Sequence, residues 1–348
     1  MSSVEDEATK QGNSLRDKGD FDGAIAAYTE GIRLHPHNAQ PYFRRGQAYL
    51  RKGEFNKAIA DCNKAIQFDP MMAEAYCCRG HSHGRNGDLD KAIADCVEAI
   101  RLDPQGAEAY YVRGIVYGLK GDFGRGIADF TEVIRLDPKL AQAYCKRAGL
   151  YDGHGEFDKA IADYAEAIRL DPQSAETYWG RGHTYEMMSE FDKAIVDFTE
   201  SIRLNPRYAA VYCGRGHAYA KNGEFDKAFA DYDEAIRLDP KHATTYYNRG
   251  LAYVKKGVFD KAIADFTEAV LLNPKDAEAY YNRGCAYDKK ADYDKAISDF
   301  TAAIQINPRN GYTFYARGWL YLQKDEKAKA HADFAQAEKL GYKASQDQ

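Results

Sequence analysis

Apolar and small residues recur along this chain on a beat of 34 residues. Within each stretch, aromatic or small residues hold positions 4, 8 and 11, as Tyr246, Gly250 and Tyr253 do. A second set holds positions 17, 20, 21, 24 and 28, as Phe225, Ala228, Phe229, Tyr232 and Ile236 do. Spacings of three and four put each set on one face of a helix, so every stretch predicts two amphipathic helices. The punctuation keeps the same time. Pro36, Pro70, Pro104, Pro138, Pro172, Pro206, Pro240, Pro274 and Pro308 fall 34 residues apart, and Pro41 alone lies off the beat. The Asp-Pro or Asn-Pro step ends the second helix, because the residue before proline is pushed out of helical dihedrals. Glycine at position 15 (Gly53, Gly87, Gly121, Gly223) supplies the left-handed residue that ends the first helix. An acid at position 16 (Asp20, Glu54, Asp88, Asp122) is placed to cap the second.

Self-similarity at such a period means stacked units, none able to bury its apolar face alone. With the proline at position 32 there are ten units, starting at residues 5, 39, 73, 107, 141, 175, 209, 243, 277 and 311. The expectation is one elongated domain over residues 5–344, with tails at 1–4 and 345–348 and fraying from Ala344 to Gln348. Unit ten carries Lys327, His331 and Glu338 where other units are apolar, so it reads as a terminal cap with a polar outer face. Arg stands at position 7 and Asp at position 23 in nine units, while unit one has Gln11 and Ala27. That joint absence predicts ion pairs within a unit, such as Arg79 with Asp95 and Arg215 with Asp231.

Several positions are close to invariant. Position 4 is Tyr in eight units (Tyr42, Tyr76, Tyr110, Tyr144, Tyr178, Tyr212, Tyr246, Tyr280) and Phe314 in the last. Position 8 is usually Gly and position 11 usually Tyr, and positions 20, 24 and 27 read Ala, aromatic, small, as in Ala160, Tyr164 and Ala167. This text resembles the tetratricopeptide repeat over nearly the whole chain. The resemblance implies an all-α solenoid of helix-turn-helix units winding as a right-handed superhelix. It also implies a concave groove formed by the first helix of each unit, chiefly positions 2, 5, 6, 9, 12 and 13.

Charge and cysteine content narrow the partners. The net charge of −5 over 348 residues does not predict a phosphate-binding surface, so no nucleic-acid partner is expected. The acidic start, Met1 to Glu7, does not read as a signal peptide. No apolar run has the length of a membrane span, and a cytoplasmic chain without membrane contact is the expectation. Seven cysteines show no Cys-x-x-Cys spacing, and reduced thiols are expected, with Cys62 and Cys96 as core fillers.

No sequence motif points to catalysis, so the chain is read as not an enzyme and as needing no cofactor. Cys77 with His81, and Cys213 with His217, give two ligands each on a helix face, whereas a zinc site takes four; no metal is expected. Variable text sits only on the concave positions. Arg16, Arg44, Arg51 and Arg85 place four cations in units one to three. Tyr111, Val112, Ile115, Trp179 and Met187 follow, apolar and soft, and then Tyr247, Asn248, Tyr281, Asn282 and Tyr315. Together they suit an extended peptide with an acidic end and apolar or aromatic anchors further along. The position 5 aromatics are expected to be exposed, with Trp179 the best single anchor.

The lysine-and-asparagine clamp with which co-chaperones of the family grip a chaperone's carboxylate tail is broken here. Asn13 matches it, but Thr9, Arg44, Glu74 and Cys78 do not. The asparagine ladder of glycosyltransferase repeat arms is reduced to Asn248 and Asn282. The reading is therefore a monomeric adaptor for a protein or peptide partner. Two alternatives are a substrate-recruiting arm acting in trans for an enzyme such as a glycosyltransferase, and a self-assembling structural solenoid.

Overall fold

The computed structural model describes residues 7–342, and the expected tails and fraying end lie outside the described residues. Twenty helices form ten antiparallel hairpins, with no strand among the described residues. They group into two compact units, one ending at Gln173 and one beginning at Ser174. The first unit holds α1 (Glu7–Asp17), α2 (Phe21–Leu34), α3 (Ala39–Arg51), α4 (Phe55–Phe68), α5 (Ala73–Arg85), α6 (Leu89–Leu102), α7 (Ala107–Leu119), α8 (Phe123–Leu136), α9 (Ala141–Gly153) and α10 (Phe157–Leu170). The second holds α11 (Ala175–Met187), α12 (Phe191–Leu204), α13 (Ala209–Lys221), α14 (Phe225–Leu238), α15 (Ala243–Lys255), α16 (Phe259–Leu272), α17 (Ala277–Lys289), α18 (Tyr293–Ile306), α19 (Gly311–Gln323) and α20 (Lys327–Lys339).

Close approach within a hairpin is bought with small residues. A Cβ added at Gly250 would come 2.7 Å from the Phe266 ring, and one at Gly114 would come 2.9 Å from Phe130. Ala24, Ala58, Ala92 and Ala160, all at position 20, are fully buried. Tyr42, Tyr110, Tyr144, Tyr212 and Tyr246 at position 4 reach backwards and donate to the carbonyl of the repeated proline, Tyr42 to Pro36 O at 3.2 Å and Tyr212 to Pro206 O at 3.3 Å. Both recurrences thus have one cause, because the tyrosine fixes the turn that the proline begins.

The Arg–Asp pairs form within each unit, as the sequence predicts. Arg79 Nε donates to Asp95 Oδ2 at 2.9 Å and Nη2 to Oδ1 at 2.6 Å, a planar two-bond fork. The same fork joins Arg45 to Asp61 and Arg317 to Asp333. Burial pushes the Asp129 carboxyl up despite its Arg113 partner, while the bond to Asp129 raises Arg113 against burial. The third guanidinium nitrogen does something the sequence did not announce. Where position 25 of the preceding unit is polar it donates there, Arg45 to Thr29 at 2.9 Å and Arg79 to Asn63 at 2.7 Å, whereas Val97 and Ala165 offer Arg113 and Arg181 no side-chain acceptor. One arginine therefore ties its own hairpin and joins it to the last.

One expectation about helix ends needs correction and another extends further than the glycines. Only Asp20 and Asp122 accept from a backbone N–H at the start of a second helix. Glu54 and Asp292, among others, form ion pairs with the lysine three residues on, at 2.6 and 2.7 Å. The lysine ammonium takes up the carboxylate that was expected to reach the backbone. Glycine at position 15 has positive φ wherever it occurs, but Ser189, Ala291 and Asp325 hold the same place at φ of 60°, 58° and 58°. The repeat imposes the left-handed turn even where the side chain resists it. In unit ten, Lys327, His331 and Glu338 are exposed along α20.

Candidate functional site

A cavity lies in the first compact unit, along the first helices of its hairpins. It has a volume of about 540 Å³, and its lining includes Arg16, Arg51, Arg85, His81, Glu74 and Glu108. Gln47, Leu50, Phe21, Phe55 and Cys78 complete most of the wall. The sequence grouped Arg16, Arg51 and Arg85 by position alone, and here they share one cleft. Arg85 lies over the Phe55 ring at 5.6 Å, which steadies a guanidinium that has no ion pair among the described residues. Arg16 pairs with the neighbouring Asp17 at 2.8 Å. Arg44 stands outside the wall, donating to Gln47 at 3.3 Å, and its Nε is buried without a hydrogen-bond partner.

His81 reports the field inside the cleft. Burial, then the charges of Arg85 and Arg51, hold its pKa below the usual histidine value. Two guanidinium groups lining one cavity mark a place where negative charge is stabilised. Among the described residues, no three His, Cys, Asp or Glu side chains converge to hold a metal ion. Cys77 and Cys78 are buried instead, with burial prominent in raising both thiols and the Cys62 thiol, hydrogen-bonded to Cys78, acting foremost on the latter.

The expectation of exposed aromatics at position 5 does not hold. Tyr111, Trp179, Tyr247, Tyr281 and Tyr315 are each half-buried. A large ring at position 5 meets the position 24 ring of its own hairpin, Tyr111 with Phe130 at 5.3 Å and Tyr281 with Phe300 at 5.4 Å. Tyr247 meets Phe266 at 5.9 Å and Tyr315 meets Phe334 at 5.3 Å. Trp179 packs on the core around Phe198 and Val211, with Tyr208 at 5.8 Å. Val112 is buried, Ile115 packs on the Phe130 core, and of the soft middle group Met187 alone is open, at 59% exposure.

The asparagines are engaged as well. Asn282 Nδ2 donates to Tyr247 Oη at 3.1 Å and to Glu278 O at 2.9 Å, and Asn248 Nδ2 points at Cys213 Sγ at 3.8 Å. Burial, with Glu278 adding, pushes Tyr247 up to about 12. These residues form a polar network along the first helices of the second compact unit rather than a row of free hands. Sequence reasoning overlooked Glu108, Phe21 and Phe55 as cleft residues. Glu108 had a signal in its concave position 2, whereas Phe21 and Phe55 belong to the second-helix pattern and had none.

Repeat-family models match the chain almost from end to end. Models described as TPR repeat or tetratricopeptide repeat cover residues 9–72, 73–105, 107–140 and 277–310, and a run of four overlapping matches covers 154–290. The chain belongs to the tetratricopeptide repeat family. Solved structures agree on the fold. The Cut9–Hcn1 hetero-tetramer of the APC/C is similar at 17% identity and a TM-score of 0.54, over 96% of this chain and 80% of that one. A tetratricopeptide repeat protein from Parabacteroides merdae is similar at 18% identity and a TM-score of 0.57, over 71% and 98%. No curated protein matches the sequence. The tetratricopeptide fold supports a protein-interaction scaffold in general terms, and proteins of this family are typically not enzymes. No helix among the described residues is long and apolar enough to cross a membrane.

Proposed function

We propose that this tetratricopeptide chain is a non-enzymatic, monomeric adaptor that seats an acidic, extended segment of a partner protein in the cleft of Arg16, Arg51 and Arg85. The observation that carries the reading is the pair of arginines, 51 and 85, lining an open cavity beside His81, whose pKa burial and then their charges hold down. The chaperone-tail clamp has no part in it. Asn13, its one matching residue, accepts the Tyr28 hydroxyl at 2.8 Å and so is already held inside unit one. The seven cysteines are free thiols, in keeping with a reducing compartment.

Binding of fluorescein-labelled acidic, neutral and basic peptides by anisotropy tests the proposal. The acidic peptide is expected to bind best, with affinity falling as salt rises. Arg51→Ala/Arg85→Ala is expected to weaken it about tenfold, the scale of 1.4 kcal/mol. Equal affinity for all three peptides, or an unaffected double variant, would sink the reading.

A further inference from the structure

The cleft has two charged rims at opposite ends of the first helices. Glu74 and Glu108 stand in the first turns of α5 and α7. Arg51 and Arg85 are the last residues of α3 and α5, and Arg16 lies in the last turn of α1. All five line the same cavity. Glu74 and Arg85 share α5, and at about 1.5 Å rise per residue they stand about 16 Å apart along its axis. That exceeds the screening length of about 8 Å at physiological salt, so the rims do not neutralise each other. Each sign also sits where the helix dipole favours it, acids at N-termini and bases at C-termini. The two signs are therefore held apart along the helix axis, with Arg16 paired to Asp17 at the basic rim.

We infer that the occupant is an extended peptide segment bearing both signs of charge. Its acidic side chain meets Arg51 and Arg85, and a basic side chain about five residues away meets Glu74 and Glu108. The spacing follows from about 16 Å divided by the rise of about 3.3 Å per extended residue. The segment lies parallel to α3 and α5, across the stack of hairpins. Leu50 and Cys78, which also line the cavity, meet the uncharged residues between the two ends. This inference rests on the reading of the cleft as a peptide site and adds the second charge, the spacing and the direction.

Four labelled peptides on one alanine- and threonine-rich backbone test it by anisotropy at low salt. One carries a single Asp, one carries Asp and Lys five residues apart, one carries the same pair two residues apart, and one carries Asp at both ends of the five-residue spacing. The five-residue Asp–Lys peptide is expected to bind about tenfold more tightly than the first and third. In Glu74→Lys/Glu108→Lys that advantage passes to the peptide with two Asp, while helical circular dichroism stays as it was. If the single-Asp peptide binds as well as the Asp–Lys peptide, the two-signed occupant is wrong and the acidic-segment reading stands. If no peptide binds, both fall. A best fit at two residues, or displacement of every peptide by inorganic phosphate with no effect of Lys, likewise overturns the inference.

Discussion

Replacing Arg215 by alanine leaves a buried carboxylate with nothing to hold it. Asp231 keeps 9% of its side-chain surface and accepts from Arg215 Nε and Nη2, each at 2.8 Å. Burial, the largest single influence, would lower the Arg215 pKa, yet the bond to Asp231 and its charge, with Tyr219 and Tyr212 adding, together raise it. Arg215 Nη1 also donates to Thr199 Oγ1 of the preceding hairpin at 3.1 Å. Breaking one side of such a pair costs about 3–5 kcal/mol, chiefly because the remaining charge stays desolvated. We expect about 4 kcal/mol for Arg215→Ala, which also loses the Thr199 bond. Asp231→Ala is expected to cost about 3 kcal/mol, because the guanidinium keeps Thr199 and the faces of Tyr212 and Tyr219. The double variant strands neither charge. It is expected to cost about 4 kcal/mol against a sum of about 7, a coupling of about 3. Guanidinium unfolding followed by circular dichroism measures the cycle, and amide exchange in α13 and α14 localises it. Additivity within about 0.5 kcal/mol would refute the claim that these two charges stabilise one another.

Three further substitutions probe the turn, the groove and the cleft. Ala291→Gly relieves a left-handed residue at a cost of about 1–2 kcal/mol and gives back about 0.4–1 in chain entropy, so a net gain of about 0.5–1 kcal/mol is expected in thermal melts. A lower melting temperature would refute the strain. Trp179→Ala is expected to cost about 2 kcal/mol of stability, because the ring packs on Phe198 and Val211. An unchanged melting temperature would return that side chain to the open groove. With its pKa lowered, neutral His81 contributes stability that is complete above about pH 6.5 and is lost as pH falls through the folded-state value. An acidic peptide beside Arg51 and Arg85 raises that pKa again, so its binding is expected to tighten between about pH 7 and 5. His81→Asn should flatten this slope, and an unaltered slope would remove His81 from the site.

Position in the repeat was enough to read the hairpins, their turns and the pairing of Arg with Asp inside each unit. The reason is that these contacts are local. Arg215 and Asp231 are 16 residues apart on the two arms of one hairpin, and nine repetitions of one solution make the rule visible. The sequence also placed Arg16, Arg44, Arg51 and Arg85 on concave positions, and Arg51 and Arg85 share position 13, which a repeat of 34 residues brings to like places. What it did not decide is how far each side chain reaches. Tyr111, Tyr281 and Trp179 vary as surface residues do, yet their rings are long enough to fold back onto the core, which depends on distances between helices rather than on pattern. The Arg45–Thr29 bond and the meeting of Glu108 with Arg85 around one cavity join different hairpins, and only tertiary packing sets which neighbours meet. Periodicity settles which face a residue occupies, whereas packing settles whether that face is open.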